Sequence, residues 1–229
     1  SDVYKRQVLE KLKYDWAKKL QHLSYGMVDL PSGKMKSREG TVVDADDLIS
    51  SMINKSKTIS ESLGKINDLD ELEKNKLYKT IALGALKYHI LKVDPKKKIL
   101  FNPDESIDSN GNTGPFIQYT YVRIKSILYK NDNNSIEFND IKLAKKEKEL
   151  IIMLCEFKNV LNNSVKTLNP SLIANHIYEL VKLYNSYYQT HTILGDKSIN
   201  SFRVFLSEKV AFQIKKSMSL LGVSVPDRM

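Results

Sequence analysis

Lys34, Met35, Lys36, Ser37, Arg38, Glu39, Gly40 and Thr41 follow one another in a segment closed by a glycine. Lys34, Lys36, Ser37 and Arg38 are cations or hydrogen-bond donors. Such a loop can close over a polyphosphate and neutralise charge that builds up in a transition state. The plain alternative is a solvated basic turn. Tyr119 and Arg123 stand one helical turn apart in Gln118-Tyr119-Thr120-Tyr121-Val122-Arg123. An aromatic beside an arginine can stack bases or grip phosphate. It can equally be a buried, hydrogen-bonded tyrosine with its arginine in an inter-domain salt bridge. Tyr178, Tyr184, Tyr187 and Tyr188 form a third group. Tyr184 and Tyr187 share the periodic face of Ile177 and Leu180 and read as core. Tyr188 and Asn185 leave that face, which makes them the better candidates for RNA contact. Lys182 and Lys215-Lys216 can meet phosphates or belong to a solvated face.

Other chemistries find no support. There is one cysteine, and the histidines 22, 89, 176 and 191 are scattered, so neither a zinc site nor an internal disulfide framework is expected. Cys155, inside the apolar run 151–155, reads as a buried structural thiol. No GxGxxG fingerprint, P-loop or nucleophile elbow occurs.

These residues need elements to hold them. Val8–Leu20 reads as a short amphipathic stretch and Gln21–Val28 as a strand. Pro31-Ser32-Gly33 is turn chemistry that presents the basic loop. Asp44 is placed as an N-cap for a helix over 45–62, with Leu48, Ile49, Met52, Ile53 and Ile59 at helical spacing. A second helix is predicted over 70–91, burying Leu77, Ile81, Ala85 and Leu86 with Tyr88 and Ile90 beside them. Lys96-Lys97-Lys98 reads as a turn into a short strand over 99–101. Residues 102–114, punctuated by Pro103, Asn110-Gly111 and Gly114, are the best candidate for a domain boundary.

From Pro115 the pattern is helical. Ile117, Tyr121, Ile124 and Leu128 make one face; Leu150, Leu154, Phe157 and Leu161 make the next. The polar stretch 131–139 between them reads as a mobile loop. Asn169-Pro170 opens a helix carrying Ile173, Ile177, Leu180, Tyr184 and Tyr187. The last helix carries Phe202, Leu206, Val210, Ile214, Met218 and Leu221, and Gly222 ends it. The second half is thus expected to be a helical bundle. The chain has 229 residues, is 41% hydrophobic and bears a net charge of +9. It can bury a real core, and its charge favours a polyanionic partner. No apolar run is long enough to span a bilayer and no secretory signal pattern opens the chain. Residues 1–7 read as a non-native scar.

Three ordered blocks carry a family resemblance: 24–28 running into 33–43; 110–124; and 174–180 with 184–188, closing on 220–223 and 226–229. Together they resemble the C-terminal part of an arginyl-tRNA synthetase of class I. The loop at 34–38 looks like that class's second signature (Lys-Met-Ser-Lys-Ser type). Aligned on Gly40, the family's second lysine falls on Ser37, which leaves its work to Lys36 or to a lysine elsewhere. The first signature, a His-x-Gly-His turn, is not among these residues.

The resemblance implies a mainly α fold: the tail of a Rossmann-type catalytic domain over 8–112, then an anticodon-binding helical bundle over 113–229. It implies Lys34, Lys36, Ser37 and Arg38 as catalytic residues, and these with Met35 as the ATP contact. Gln118, Tyr119, Arg123, Lys182, Asn185 and Tyr188 become the tRNA contacts. The implied activity is ATP-dependent joining of arginine to tRNA(Arg) with Mg2+ accompanying the nucleotide, in a cytoplasmic enzyme that is monomeric at full length. In this family tRNA typically binds before arginine is activated. A non-catalytic tRNA-binding module, a helical scaffold and the related cysteine enzyme are the competing readings.

Overall fold

The computed structural model describes residues 2–31, 44–62, 66–131, 141–195 and 198–229. The fold is mainly helical, with one two-stranded parallel sheet among the described residues. Helix α1 (Asp2–Lys11) stops where Lys13 turns left-handed at φ 60°, and a 3-10 helix follows over Asp15–Lys19. The single stretch expected over 8–20 is therefore two pieces. Strand β1 (Val28–Asp29) pairs with β2 (Ile99–Leu100), Val28 opposite Ile99. The longer strand expected over 21–28 shrinks to its end. A strand persists only where a neighbour completes its ladder, and before Met27 the segment offers Gly26 N–H to Pro95 O (2.6 Å) but gains no strand partner.

The basic loop joins the carboxyl end of β1 to the amino end of α2 (Ala45–Ser62). Asp44 caps α2 as expected, its carboxylate accepting the Asp46 N–H at 2.8 Å. Met52 is buried, and Leu48 and Ile53 pack with it against Ala82, Ala85 and Phe101. Helix α3 (Glu71–Leu91) opens on a reciprocal capping box: Asp70 accepts from Glu73 N–H and the Glu73 carboxylate returns to Asp70 N–H, which satisfies two otherwise orphaned donors. α2 and α3 pack side by side, and α3 continues onto the second half of the chain.

A short helix, α4 (Pro103–Ile107), interrupts the segment read as a punctuated loop. Asn102 caps it at 3.1 Å (Asp104 N–H to Oδ1), and Pro103 takes the first helical position, where its missing N–H costs nothing. Helix α5 (Gly114–Tyr129) then crosses α3 at close range. A Cβ on Gly114 would stand 2.4 Å from the Gly84 carbonyl oxygen. Backbone cannot swing aside as a side chain can, so Gly114→Ala is expected to cost about 1–3 kcal/mol, seen as a lower urea midpoint.

The bundle continues with α6 (Lys145–Thr167), α7 (Ser171–Thr190) and α8 (Ser198–Leu220). Its core holds the expected faces: Ile117, Tyr121 and Ile124 from α5, Leu150 and Phe157 from α6, Ile173 to Tyr187 from α7, and Leu206 to Met218 from α8. Burying each such aliphatic side chain contributes about 1.5–3 kcal/mol before entropy. α7 opens as expected, Asn169 Oδ1 accepting the Ser171 N–H at 3.0 Å. α8 closes on Gly222 at φ 67°, with Val223 N–H bonded to Met218 O (2.9 Å) and Gly222 N–H to Ser219 O (3.0 Å). That left-handed stop is the reason for glycine there. The polar stretch expected to be mobile, apart from Asn131, lies outside the described residues. Cys155 is exposed, contrary to the expectation of a buried thiol. The inward stripe of α6 passes through Leu150, Leu154 and Phe157, and Cys155 lies a further 100° around the helix.

Two histidines make the fold sensitive to acid. His89 packs edge-on against Phe101 with Nδ1 unpartnered, and His176 has Nε2 unpartnered. Burial lowers both pKa values; Lys92 lowers His89 further, while backbone carbonyls partly oppose the shift. The unfolded chain thus takes up these protons first. Stability is complete above the ordinary histidine range near 6.5 and falls as pH drops below it. The melting temperature should decline from pH 7 to pH 5, and less steeply in a His89→Gln, His176→Gln variant.

Candidate nucleic-acid interface

Spacing alone puts Phe116, Tyr119 and Arg123 on one face of α5. The same rule puts Tyr178, Lys182, Asn185 and Gln189 on one face of α7. The structure brings these faces together. Arg123 donates to Asn185 Oδ1 at 2.5 Å, and Asn185 Nδ2 donates to Thr120 Oγ1 at 2.8 Å. The Arg123 guanidinium carbon lies 4.9 Å from the Tyr119 ring centre and 5.2 Å from that of Tyr188. A cation between two aromatic faces is held by their quadrupoles without losing its charge. Among the described residues no carboxylate pairs with Arg123, whose hydrogen-bond partner is Asn185. With five N–H donors on a guanidinium and one committed to Asn185, the fork retains capacity for a ligand.

Tyr119, Arg123 and Asn185 of this cluster line a cleft of about 360 Å3, and Tyr188 stands outside that lining. The facing walls are Ser56, Ile59 and Ser60 of α2, Ile66, Ile81 of α3, Ile107, Ser109 and Asn110, with Met229 also lining it. An apolar floor with amides and one guanidinium at the rim suits a planar, hydrogen-bonding ligand such as a nucleobase. Gln189, Asn110 and Phe116 belong to this lining although only the neighbouring positions stood out in the sequence. Gln189 lies one turn beyond Asn185, a spacing that would have found it.

The other candidates separate clearly. Gln118 is fully buried, and its amide nitrogen donates to Thr80 O (3.1 Å) and Ser224 O (2.8 Å). It ties α3 and the final segment to α5 and cannot meet RNA, a correction to its expected role. Lys182 is exposed, 3.6 Å from Glu179, with its ammonium 6.0 Å from the Tyr178 ring. It lies outside both the cluster and the cleft lining. Tyr184 and Tyr187 are core, as their spacing indicates. Tyr184 donates to Ser207 at 2.9 Å, and burial pushes its pKa up to about 12. The ATP candidates Lys34, Met35, Lys36, Ser37 and Arg38 lie outside the described residues. Among the described residues no cluster of three or more His, Cys, Asp or Glu could hold a metal, and no helix is long and apolar enough to cross a membrane.

Comparison with known proteins fits this geometry. The DALR anticodon binding domain matches residues 117–229, and the catalytic domain of class I (R) tRNA synthetases matches residues 3–102. The arginine–tRNA ligase of Flavobacterium psychrophilum is 58% identical over 224 residues, covering 97% of this chain and 37% of that relative. That of Phocaeicola vulgatus is 51% identical over 229 residues, covering 97% of this chain and 38% of the relative. The solved arginyl-tRNA synthetase of Thermus thermophilus superposes with a TM-score of 0.83 at 24% identity, over 93% of this chain and 36% of that one. The Plasmodium falciparum enzyme gives 0.79 at 22% identity, over 99% and 39%. At such identities the structures speak for the fold.

Proposed function

The chain belongs to the arginyl-tRNA synthetase family, spanning 37–38% of the length of its curated relatives, and we propose that it serves there as the part that closes on ATP and holds tRNA(Arg). The observation that carries this reading is the Tyr119–Arg123–Asn185–Tyr188 cluster at the rim of an apolar cleft. It presents stacking faces and a donor fork where an unpaired anticodon-loop base can enter.

The basic loop supplies the other half. It connects the carboxyl end of a parallel strand to a helix, the place where open parallel sheets bind nucleotides. In the complete enzyme an arginine carboxylate oxygen attacks the α-phosphorus of ATP, and the α–β bridging bond breaks to release pyrophosphate. The terminal ribose hydroxyl of the tRNA then attacks the arginyl carbonyl and AMP leaves. Lys34, Lys36 and Arg38 neutralise the leaving pyrophosphate, Ser37 donates a hydrogen bond, and Met35 completes the ATP contact. Mg2+ travels with the ATP phosphates and adds charge neutralisation there. The enzyme works in the cytoplasm as a monomer.

In the complete enzyme, Lys34→Ala and Lys36→Ala are each expected to slow arginyl-adenylate formation by more than about tenfold, or about 1.4 kcal/mol in the barrier. Pyrophosphate exchange with tRNA(Arg) present measures this, and unchanged rates in both variants would remove the loop from the site. A tRNA-binding module without catalysis would bind tRNA(Arg) with steep salt dependence yet show no exchange at all.

A further inference from the structure

Helix α8 turns Leu206, Val210, Ile214 and Met218 into the bundle. On the opposite side stand Phe205, Lys209, Phe212 and Lys216, at i, i+4, i+7 and i+11, which form one ridge along the helix. Phe212 is 64% exposed. Each ring has its own ammonium: Lys209 Nζ is 4.5 Å from the Phe205 ring centre and Lys216 Nζ 5.9 Å from that of Phe212. Lys215 flanks the ridge, and its one acid, Glu208, lies 3.6 Å from Lys209. The inner side of α8 faces α5 and α7, the helices that carry Arg123 and Asn185. The ridge therefore points away from the cleft.

We propose that this ridge is a second RNA surface, which takes a single-stranded segment distinct from whatever fills the cleft. A base stacks on the exposed Phe212, with the half-buried Phe205 a second and narrower platform, while Lys209, Lys215 and Lys216 meet phosphates, the pairing of ring and cation that single-strand binders use. The rings are about 10.5 Å apart along the axis at 1.5 Å rise per residue, close to the span of three nucleotides at about 3.4 Å each. Charge complementarity selects a polyanion. The break in the apolar strip at Glu208–Lys209 argues against a lipid surface, which needs a continuous apolar face. An exposed ring holds its ammonium only weakly, so exchange onto phosphate is cheap.

A short fluorescein-labelled oligouridylate, titrated into the 229-residue chain and followed by anisotropy, tests this. Phe212→Ala with Lys216→Glu should weaken binding by about tenfold or more, the loss expected for one stacked base. Arg123→Ala probes the cleft separately: a loss in Arg123→Ala with none in the double ridge variant overturns this proposal alone, whereas a loss in the double ridge variant upholds it whether or not Arg123→Ala also weakens binding. Both ridge residues face solvent, so melting curves of the double variant should overlay the parent. Equal oligouridylate affinity in parent and double variant overturns the proposal. So does a double variant that keeps RNA affinity but loses binding to phosphatidylserine vesicles or to oligoglutamate, since the ridge would then serve a membrane or an acidic protein.

Discussion

Arg203→Ala is expected to destabilise the bundle by about 3–5 kcal/mol, the usual result of stranding one member of a buried ion pair. Glu147 on α6 is completely buried. Its Oε1 accepts from Arg203 Nε at 2.8 Å and from the Tyr187 hydroxyl at 3.2 Å, and its Oε2 accepts from Ala144 N–H at 2.7 Å. Arg203 also donates to Thr192 O at 2.9 Å. The network thus pins α6, α7 and α8 to one another where side chains from all three meet. Burial, with Glu147 next in weight, pushes the Tyr187 phenol well above its ordinary value, so that hydroxyl stays a donor. Without Arg203 the carboxylate keeps only neutral donors. Replacing both partners together, Glu147→Gln with Arg203→Met, removes the charge as well as its partner and should recover much of the loss. Urea midpoints of the three proteins decide this. A single-variant loss below about 1 kcal/mol, the range of exposed pairs, would mean that water already screens the site.

Nothing in the sequence announced that pair, because its members are 56 residues apart and each looks like an ordinary surface charge on its own helix. The helices themselves were legible for a local reason. Ile173, Ile177, Leu180, Tyr184 and Tyr187 repeat at helical spacing, and all five are buried. Asp70 with Glu73, and Gly222 after the last periodic residue, mark ends through hydrogen bonds made within a few residues. What failed depended on partners far along the chain. The alternation over 21–28 suits a strand, yet pairing extends only as far as β2 does. Pro103 alone reads as a break, but behind the cap at Asn102 it starts a helix instead. Cys155 inherited burial from apolar neighbours in sequence rather than from its own position around α6.

The candidate interface shows the same division. Tyr119 and Arg123 were identifiable as a pair on one helix, and Asn185 with Tyr188 as residues leaving a core face. That the two pairs converge follows from how α5 and α7 pack, which periodicity does not specify. Gln118 shared the motif but not the exposure: Tyr119 beside it lines the cleft while its own amide closes hydrogen bonds to α3 and the final segment.

Arg123→Ala should weaken binding of tRNA(Arg) by about thirtyfold, or about 2 kcal/mol. Among the described residues that line the cleft, Arg123 carries the only charged side chain, and the rings of Tyr119 and Tyr188 are ordered partly by stacking on it. Its loss removes a donor fork and loosens both platforms, while Thr120 continues to hold Asn185. Arg123→Lys keeps the charge but not the planar fork, and should fall between the two. The salt dependence then says which group Arg123 meets. If it neutralises a phosphate, the slope of log affinity against log salt should drop by about one; if it stacks on or bonds a base, the slope should stay and the penalty should vary with the anticodon base present. Filter binding at several salt concentrations measures both. A variant that binds tRNA(Arg) like the parent but unfolds at lower urea would assign Arg123 to bundle packing alone, and the cleft would lose its claim to RNA.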